Sequence, residues 1–238
     1  MFLRKIKFKN KRLLANPTTK SFSGKNDLSR ESVRLCQLVG DSAKYPSTSN
    51  DPREKLFIYD WTASNIETGY CLEVGSYLGA SSILIAEALK KNSNNEKSQL
   101  FCIDTWKNDA MSEGSRDTFE EFTKNISNWS HIIKPIRGKS QEVDIPSEII
   151  FDVVFIDADH SYEGCLADVN RFSPLIREGG CLILDDHISF PGVTKVVGEL
   201  LTTGKWYVGG SYDNLIALFK DEKSLNKERR KRVGNKSI

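Results

Sequence analysis

The run Gly69–Ser82, GYCLEVGSYLGASS, constrains this chain more than any other stretch. It reads as a buried strand ending in a carboxylate, a tight glycine turn, and then a helix carrying Ile83, Leu84, Ile85, Ala86, Ala88 and Leu89. An open α/β sheet builds a ligand site at its strand ends in this way. Gly75 and Gly79 let the backbone approach a ligand and adopt dihedrals closed to other residues, while Ser81 or Ser82 can cap the exposed amides of the helix start. The dinucleotide fingerprint G-x-G-x-x-G is absent, and no Lys-Ser/Thr pair makes a phosphate loop. The pattern is E-x-G-x-Y-x-G-x-S instead, and a glutamate entering the turn disfavours phosphate and suits a ligand bearing a cation or an amino group.

A second strand, Gln99–Ile103, ends in Asp104. A carboxylate there can accept both hydroxyl protons of a ribose diol. Trp106 follows, either as a stacking face for a flat ligand or as an apolar plug at the strand end. After the polar loop Lys107–Gly114, helical spacing of Phe119, Phe122 and Ile126 predicts a helix over Asp117–Ile126, and Ile132–Ser140 reads as a strand running into a polar turn. Phe151–Ile156 and Cys181–Leu184 are apolar throughout, as central parallel strands buried on both faces should be. A helix from about Gly164 to Leu175, stopped by Arg177-Glu178-Gly179-Gly180, joins them. A last helix carries Val193, Val196, Val197 and Leu200. Lys205–Val208 and Leu215–Phe219 lie too close in sequence for a crossover connection and must pair antiparallel around a turn-rich Gly209–Asn214. The fold expected is α/β, Rossmann-like and doubly wound, with a seven-stranded sheet that is mainly parallel and closed by an antiparallel C-terminal hairpin.

Two strands predicted to be neighbours end in Asp157-Ala158-Asp159-His160 and Asp185-Asp186-His187. Converging carboxylates repel one another, and a bound cation or a raised pKa is the usual remedy. Oxygen ligands point to a hard ion, magnesium, calcium or manganese, in preference to zinc. Asp159, then His160, are the candidates for a general base, and His187 reads as a hydrogen-bonded supporting residue.

In this order the segments resemble class I S-adenosylmethionine-dependent methyltransferases of the metal-dependent O-methyltransferase type. FIDADHSYEG paired with GGCLILDDH is similar to the catechol and caffeoyl-coenzyme A enzymes, and closer to those that methylate sugar hydroxyls of macrolide and aminocoumarin antibiotics. The resemblance spans roughly Tyr70 to Phe219. It implies that S-adenosylmethionine is held by Glu73, Gly75, Ser76, Tyr77, Gly79, Ser81, Asp104, Thr105, Trp106, Ser140 and Asp157, with Ser140 against the adenine. It implies Asp157, Asp185 and Asp186 as ligands of Mg2+ (or Ca2+ or Mn2+). Catechol-type relatives place a lysine about where His160 stands, whereas the sugar-methylating ones keep the second acid, here Asp159. The acceptor implied is a small hydroxylated molecule, a sugar or secondary metabolite, and such relatives often form homo-oligomers through their N-terminal regions. Cephalosporin hydroxylase-like proteins share similar motifs, so a same-fold metal enzyme of different chemistry is the alternative within this class.

With 238 residues the chain suits one α/β domain with a full core. We read 1–52 as a polar N-terminal extension with one short helix near Leu28–Val39, 53–222 as the methyltransferase domain and 223–238 as a basic tail. A segment with Leu56, Phe57, Tyr59 and Trp61 is expected to be a helix over the sheet edge. The net charge of +2 conceals basic residues crowded into both ends. Such ends are solvated or contact nucleic acid, and an RNA-binding or RNA-modifying protein is the second reading; the acid cluster would repel phosphate and argues against nucleic acid as partner. Five scattered cysteines without metal spacing predict reduced, buried thiols. No apolar run approaches membrane-spanning length and the N-terminus lacks a signal-peptide core, so the expectation is a cytoplasmic protein.

Overall fold

The computed structural model describes residues 25–42, 52–92, 98–108, 114–146 and 148–220. The basic first dozen residues, the tail 223–238 and the middle of the loop after Trp106 lie outside the described residues. Helices α1 (Lys25–Ser42) and α2 (Pro52–Asn65) precede β1 (Tyr70–Val74), α3 (Ala80–Asn92) and β2 (Gln99–Asp104). Then follow α4 (Phe119–Asn125), β3 (Ile133–Arg137), β4 (Phe151–Ile156), α5 (Tyr162–Phe172), β5 (Ile176–Leu184), α6 (Pro191–Thr202), β6 (Tyr207–Tyr212) and β7 (Leu215–Phe219).

The seven strands lie in the order β3-β2-β1-β4-β5-β7-β6. The pairs among β1 to β5 are parallel, and β7 pairs antiparallel with both β5 and β6. This is the expected α/β arrangement. Alternation along each strand divides the core in two. Cys71, Cys102, Val153, Phe155, Ile183 and Phe219 face α1, α2, α3 and α4; Leu72, Ile103, Val154, Ile156, Leu182 and Leu218 face α5 and α6. All five cysteines are free, and Cys71, Cys102, Cys165 and Cys181 are buried.

Three local readings are corrected. First, α2 lies on a sheet face, where Trp61 stacks tilted against Phe219 at 5.7 Å, and does not cap the sheet edge. Second, Gly209 and Gly210 belong to β6, with a register irregularity between Val208 and Gly210, and a Cβ on either would meet the Trp61 ring at 3.1 or 2.6 Å; the turn proper is Asp213-Asn214. Third, β5 begins at Ile176, so the Arg177–Gly180 stop is strand. Arg177 is drawn there by Asp152, fully buried in β4, through a 2.6 Å ion pair. Within the stretch read as an extension, α1 carries Leu35 and Val39 into the core.

Candidate active site

At the C-terminal end of β1 the chain turns tightly. Gly75 holds φ of 87°, and a Cβ there would lie 1.8 Å from the Asp157 carbonyl oxygen, so the turn is seated on the end of β4. The N–H of Gly75 donates to Ile103 at 2.9 Å and that of Asp157 to Val74 at 2.9 Å, locking the ends of β2, β1 and β4 together. Asp104 collects the turn: its carboxylate accepts the N–H groups of Ser76 (2.9 Å), Tyr77 (2.8 Å) and Trp106 (2.7 Å). A carboxylate has about four acceptor positions, so capacity remains for a ligand hydroxyl. Tyr77 and Trp106 hold left-handed φ of 43° and 50°, conformations that non-glycine residues keep only where surroundings impose them.

Several residues expected at the ligand point elsewhere. Strand alternation puts Glu73 on the α3 side with Cys71, where it is fully buried. It accepts from Ser76 Oγ at 2.7 Å, Ser82 Oγ and Cys102 Sγ. Burial pushes its carboxyl above the ordinary range against the pull of Ser81, Ser82 and Ser76. Glu73 thus braces the turn from below, with Ser81 among the groups drawn to it, and offers no acidic entrance. Trp106 is the plug of the two alternatives: it is fully buried, packed on Phe119 and Phe122 at 4.9 and 4.7 Å, and its indole N–H donates to the Tyr77 carbonyl at 2.9 Å. Gly79, with φ of 92°, admits the close approach of Ile126. Thr105 remains half-exposed beside Asp104, its carbonyl accepting from Arg137 Nε at 3.2 Å. Ser140 lies on the loop after β3, and its hydroxyl donates to Asp168 at 2.6 Å.

The acid cluster forms where β4 and β5 end side by side, since Ile156 and Leu184 are register partners. Oxygens of Asp157 and Asp186 and a nitrogen of His160 all lie within 4.8 Å of one another. His160 Nε2 is 3.3 Å from Asp157 Oδ1 and 3.3 Å from Asp186 Oδ2. Asp186 holds a left-handed φ of 58° and its N–H donates to Asp185 Oδ1 at 2.7 Å. Burial, then the charge of Asp157, raises the Asp185 carboxyl to about 8. The same two causes raise Asp186, and the hydrogen bond that His160 donates to Asp157 raises His160. Among the described residues the ion pairs to Asp157 and Asp186 come from His160 alone.

Two expectations shift here. Asp185 stands behind the converging trio, not within it, and His160 takes its place. Asp159 is exposed and turned toward the start of α5: its Oδ1 accepts the Ser161 N–H at 2.8 Å, and a Cβ on Gly164 would meet its carboxyl at 2.2 Å. Asp159 thus stands apart from the converging trio, which His160 joins. His187, as expected, is a supporting residue: its N–H and Nδ1 lie 3.0 and 2.6 Å from the Asn214 carbonyl. Sequence reasoning missed Phe190, whose ring lies 4.4 Å from that of His160 at 31°. Its one signal was its place before Pro191 at the start of α6. It also missed Glu54 of α2, close enough to add to the rise of Asp185.

The donors fit a divalent ion. Two carboxylates and an imidazole converge at the strand ends, with no lysine or arginine paired to Asp157 or Asp186 among the described residues, a set of oxygen and nitrogen donors such ions accept. The strand ends of β1, β2 and β4, locked around a turn with free acceptor capacity at Asp104, fit a nucleoside cofactor.

Residues 72–187 match the family described as "Methyltransferase domain". A curated relative, the uncharacterized protein R132 of Acanthamoeba polyphaga mimivirus, is 26% identical over 162 residues, covering 60% of this chain and 67% of that protein. Among solved structures, the O-methyltransferase NovP superposes with a TM-score of 0.66 at 13% identity, over 82% of this chain and 100% of that one. The Bacillus cereus O-methyltransferase in complex with SAH (S-adenosylhomocysteine) gives 0.58 at 17% identity, over 84% and 94% of the two chains. CalS11, a TDP-rhamnose 3'-O-methyltransferase, gives 0.54 at 14%, over 83% and 96%. No described helix is long and apolar enough to cross a membrane. The seven-stranded fold and the match of residues 72–187 to a methyltransferase domain agree, and the fold is the one these solved O-methyltransferases share.

Proposed function

We propose that this protein methylates a hydroxyl group of a small molecule, with a divalent metal ion held by Asp157 and Asp186 and backed by Asp185. The observation that carries this is the convergence of Asp157, His160 and Asp186 within 4.8 Å beside the turn that Asp104 holds. Methyl transfer from a sulfonium to a hydroxyl requires alignment of oxygen, methyl and sulfur, and removal of the hydroxyl proton. A bound divalent ion would lower the acceptor's pKa and fix its oxygen.

The chain's own residues supply the rest. Asp104 holds the glycine turn and has room to accept from a ribose hydroxyl. His160, poised between two carboxylates, takes up the hydroxyl proton in its neutral form, and Asp157 and Asp186 stabilise the resulting imidazolium. The substrate remains defined by class: NovP and CalS11, both named O-methyltransferases, share the fold, and CalS11 acts on a nucleotide-linked sugar.

A second reading has its own observation. His160 lies within the same 4.8 Å cluster as the two acids, so it would serve as a metal ligand and favour a transition-row ion over magnesium.

The test is calorimetric titration of S-adenosylhomocysteine, Mg2+ and Mn2+ into the wild type and Asp186→Ala, followed by methyl transfer from labelled S-adenosylmethionine to a panel of sugars and phenols. Expected are cofactor binding in both proteins, ion binding in the wild type alone, and transfer abolished by chelator. Transfer indifferent to chelator and to Asp186→Ala would overturn metal dependence. Equal Mg2+ and Mn2+ affinity in the wild type and His160→Ala would overturn the second reading.

A further inference from the structure

The loop 138–143 follows β3 at the end of the sheet that carries the glycine turn. The Gly138 N–H donates to the Asp104 carbonyl at 2.9 Å, so the loop starts beside the residue that gathers the glycine turn. Within it, the N–H groups of Glu142 and Val143 both turn back to the Lys139 carbonyl, and Val143 is buried. The rest of its support comes from α5. Asp168 is only 2% exposed, and its Oδ1 accepts from Ser140 Oγ at 2.6 Å and Gln141 Nε2 at 2.7 Å. One turn further along, Arg171 donates through Nη1 to the Ser140 carbonyl at 2.6 Å and through Nη2 to the Val143 carbonyl.

Asp168 and Arg171 thus make four bonds to three residues of one loop, Ser140, Gln141 and Val143, two to side chains and two to backbone. A carboxylate that a protein keeps almost wholly buried is costly unless its bonds serve something. No helix capping or core packing requires it here: α5 already has Ser161 at its start, accepting the Gly164 N–H at 3.0 Å, and Val169, Phe172 and Cys165 to pack.

We propose that Asp168, seconded by Arg171, is a positioning residue for cofactor binding: it fixes the 138–143 loop as the wall against which the nucleobase edge of the cofactor lies. This rests on the reading of the strand-end crevice as the S-adenosylmethionine site. Through α5 the wall is tied to the acid cluster as well, because the helix begins directly after His160. Neither Asp168 nor Arg171 touches the ligand; both act through the loop.

The test compares Asp168→Ala, Asp168→Asn and Gln141→Ala with the wild type, by calorimetry with S-adenosylhomocysteine and with its hypoxanthine analogue S-inosylhomocysteine, alongside thermal melts. Asn keeps an oxygen that can accept from both Ser140 and Gln141, so Asp168→Asn should retain affinity within threefold. Asp168→Ala should weaken S-adenosylhomocysteine at least tenfold and shrink the preference for adenine over hypoxanthine. Gln141→Ala, at an exposed position that can fold without rearrangement, should shrink the same preference about threefold. Lowered melting temperature with unchanged affinity and base preference, in Asp168→Ala or, should that variant not fold, in Gln141→Ala, would overturn the proposal and leave a stability role only. Wild type that binds neither ligand would overturn the parent reading and this one together; wild type that binds, with variants that bind equally well, overturns this one alone.

Discussion

Gly75→Ala should disable both halves of the site without touching either ligand. The added methyl would sit 1.8 Å from the carbonyl oxygen of Asp157, where ordinary contact needs about 3.5 Å. The obstacle is backbone, and the next nearest atoms, the Asp157 carbonyl carbon at 2.6 Å and Ala158 Cα at 3.1 Å, are backbone too. Relief therefore means moving the end of β4 away from the turn by more than about 1 Å. The φ of 87° adds about 1–2 kcal/mol for a residue with a Cβ, and overpacking about 1–3 kcal/mol. Together that is roughly 2–5 kcal/mol, or a melting temperature lower by about 10 °C in a domain of this size. Displacing Asp157 by an ångström should cost about a hundredfold in activity, and affinity for S-adenosylhomocysteine should fall in parallel. Gly114→Ala is the control: its φ is 88°, yet a Cβ there meets nothing within 4 Å. It should show the backbone penalty of about 1 kcal/mol and normal ligand binding. If calorimetry gave Gly75→Ala an affinity within threefold of wild type and an unshifted melt, the seating of the turn on β4 would be refuted.

Other expectations probe separate links. Asp152→Ala leaves Arg177 without its 2.6 Å partner and the N–H groups of Glu67 and Gly69 without an acceptor, so chemical denaturation should show a loss of about 3–5 kcal/mol. Because Asp152 stands at the opposite end of β4 from the site, cofactor affinity should stay unchanged. Trp106→Phe keeps a ring in the plug but drops the donor to the Tyr77 carbonyl, and should cost about 1 kcal/mol by the same assay. In chelator, pH should act through Asp185. Its folded-state pKa of about 8 lies above the unfolded value, so the folded state binds the extra proton, and the stability this contributes is full below about pH 4 and is lost as pH rises through about 8. Melts of the metal-free protein should therefore fall from pH 5 to 9 more steeply than those of Asp185→Asn. Equal slopes would show that Asp185 is not the group that titrates.

What the sequence disclosed, and what it withheld, follows from how far apart in the chain the deciding contacts lie. The sheet was legible because apolar runs such as Phe151–Ile156 and Cys181–Leu184 report burial on both faces within a few residues, and the crowding of β6 and β7 forces an antiparallel pair. The acids at the ends of β4 and β5 were legible for the same reason. Their directions were not read correctly, although two signals were local. Glu73 is two residues from Cys71 in one strand and must share its face, directly above Ser82 of α3; strand parity alone excludes it from the crevice. Asp159 precedes Ser161 by two residues, the spacing of a side chain folding back onto its own backbone at a helix start. Trp106 is different, for its burial depends on Phe119 and Phe122, which only the tertiary fold brings beneath it. The exchange of Asp185 for His160 is of that kind as well. It depends on Asp186 holding a left-handed φ, which turns two adjacent carboxylates in different directions, and on Phe190 lying against the imidazole from the start of α6. A run of two aspartates carries no mark of which one faces the ligand. That choice is made by the turn from Asp186 to Phe190, closed by the Phe190 N–H on the Asp186 carbonyl at 3.0 Å, and held by Asn214 from the far side of the β6–β7 hairpin.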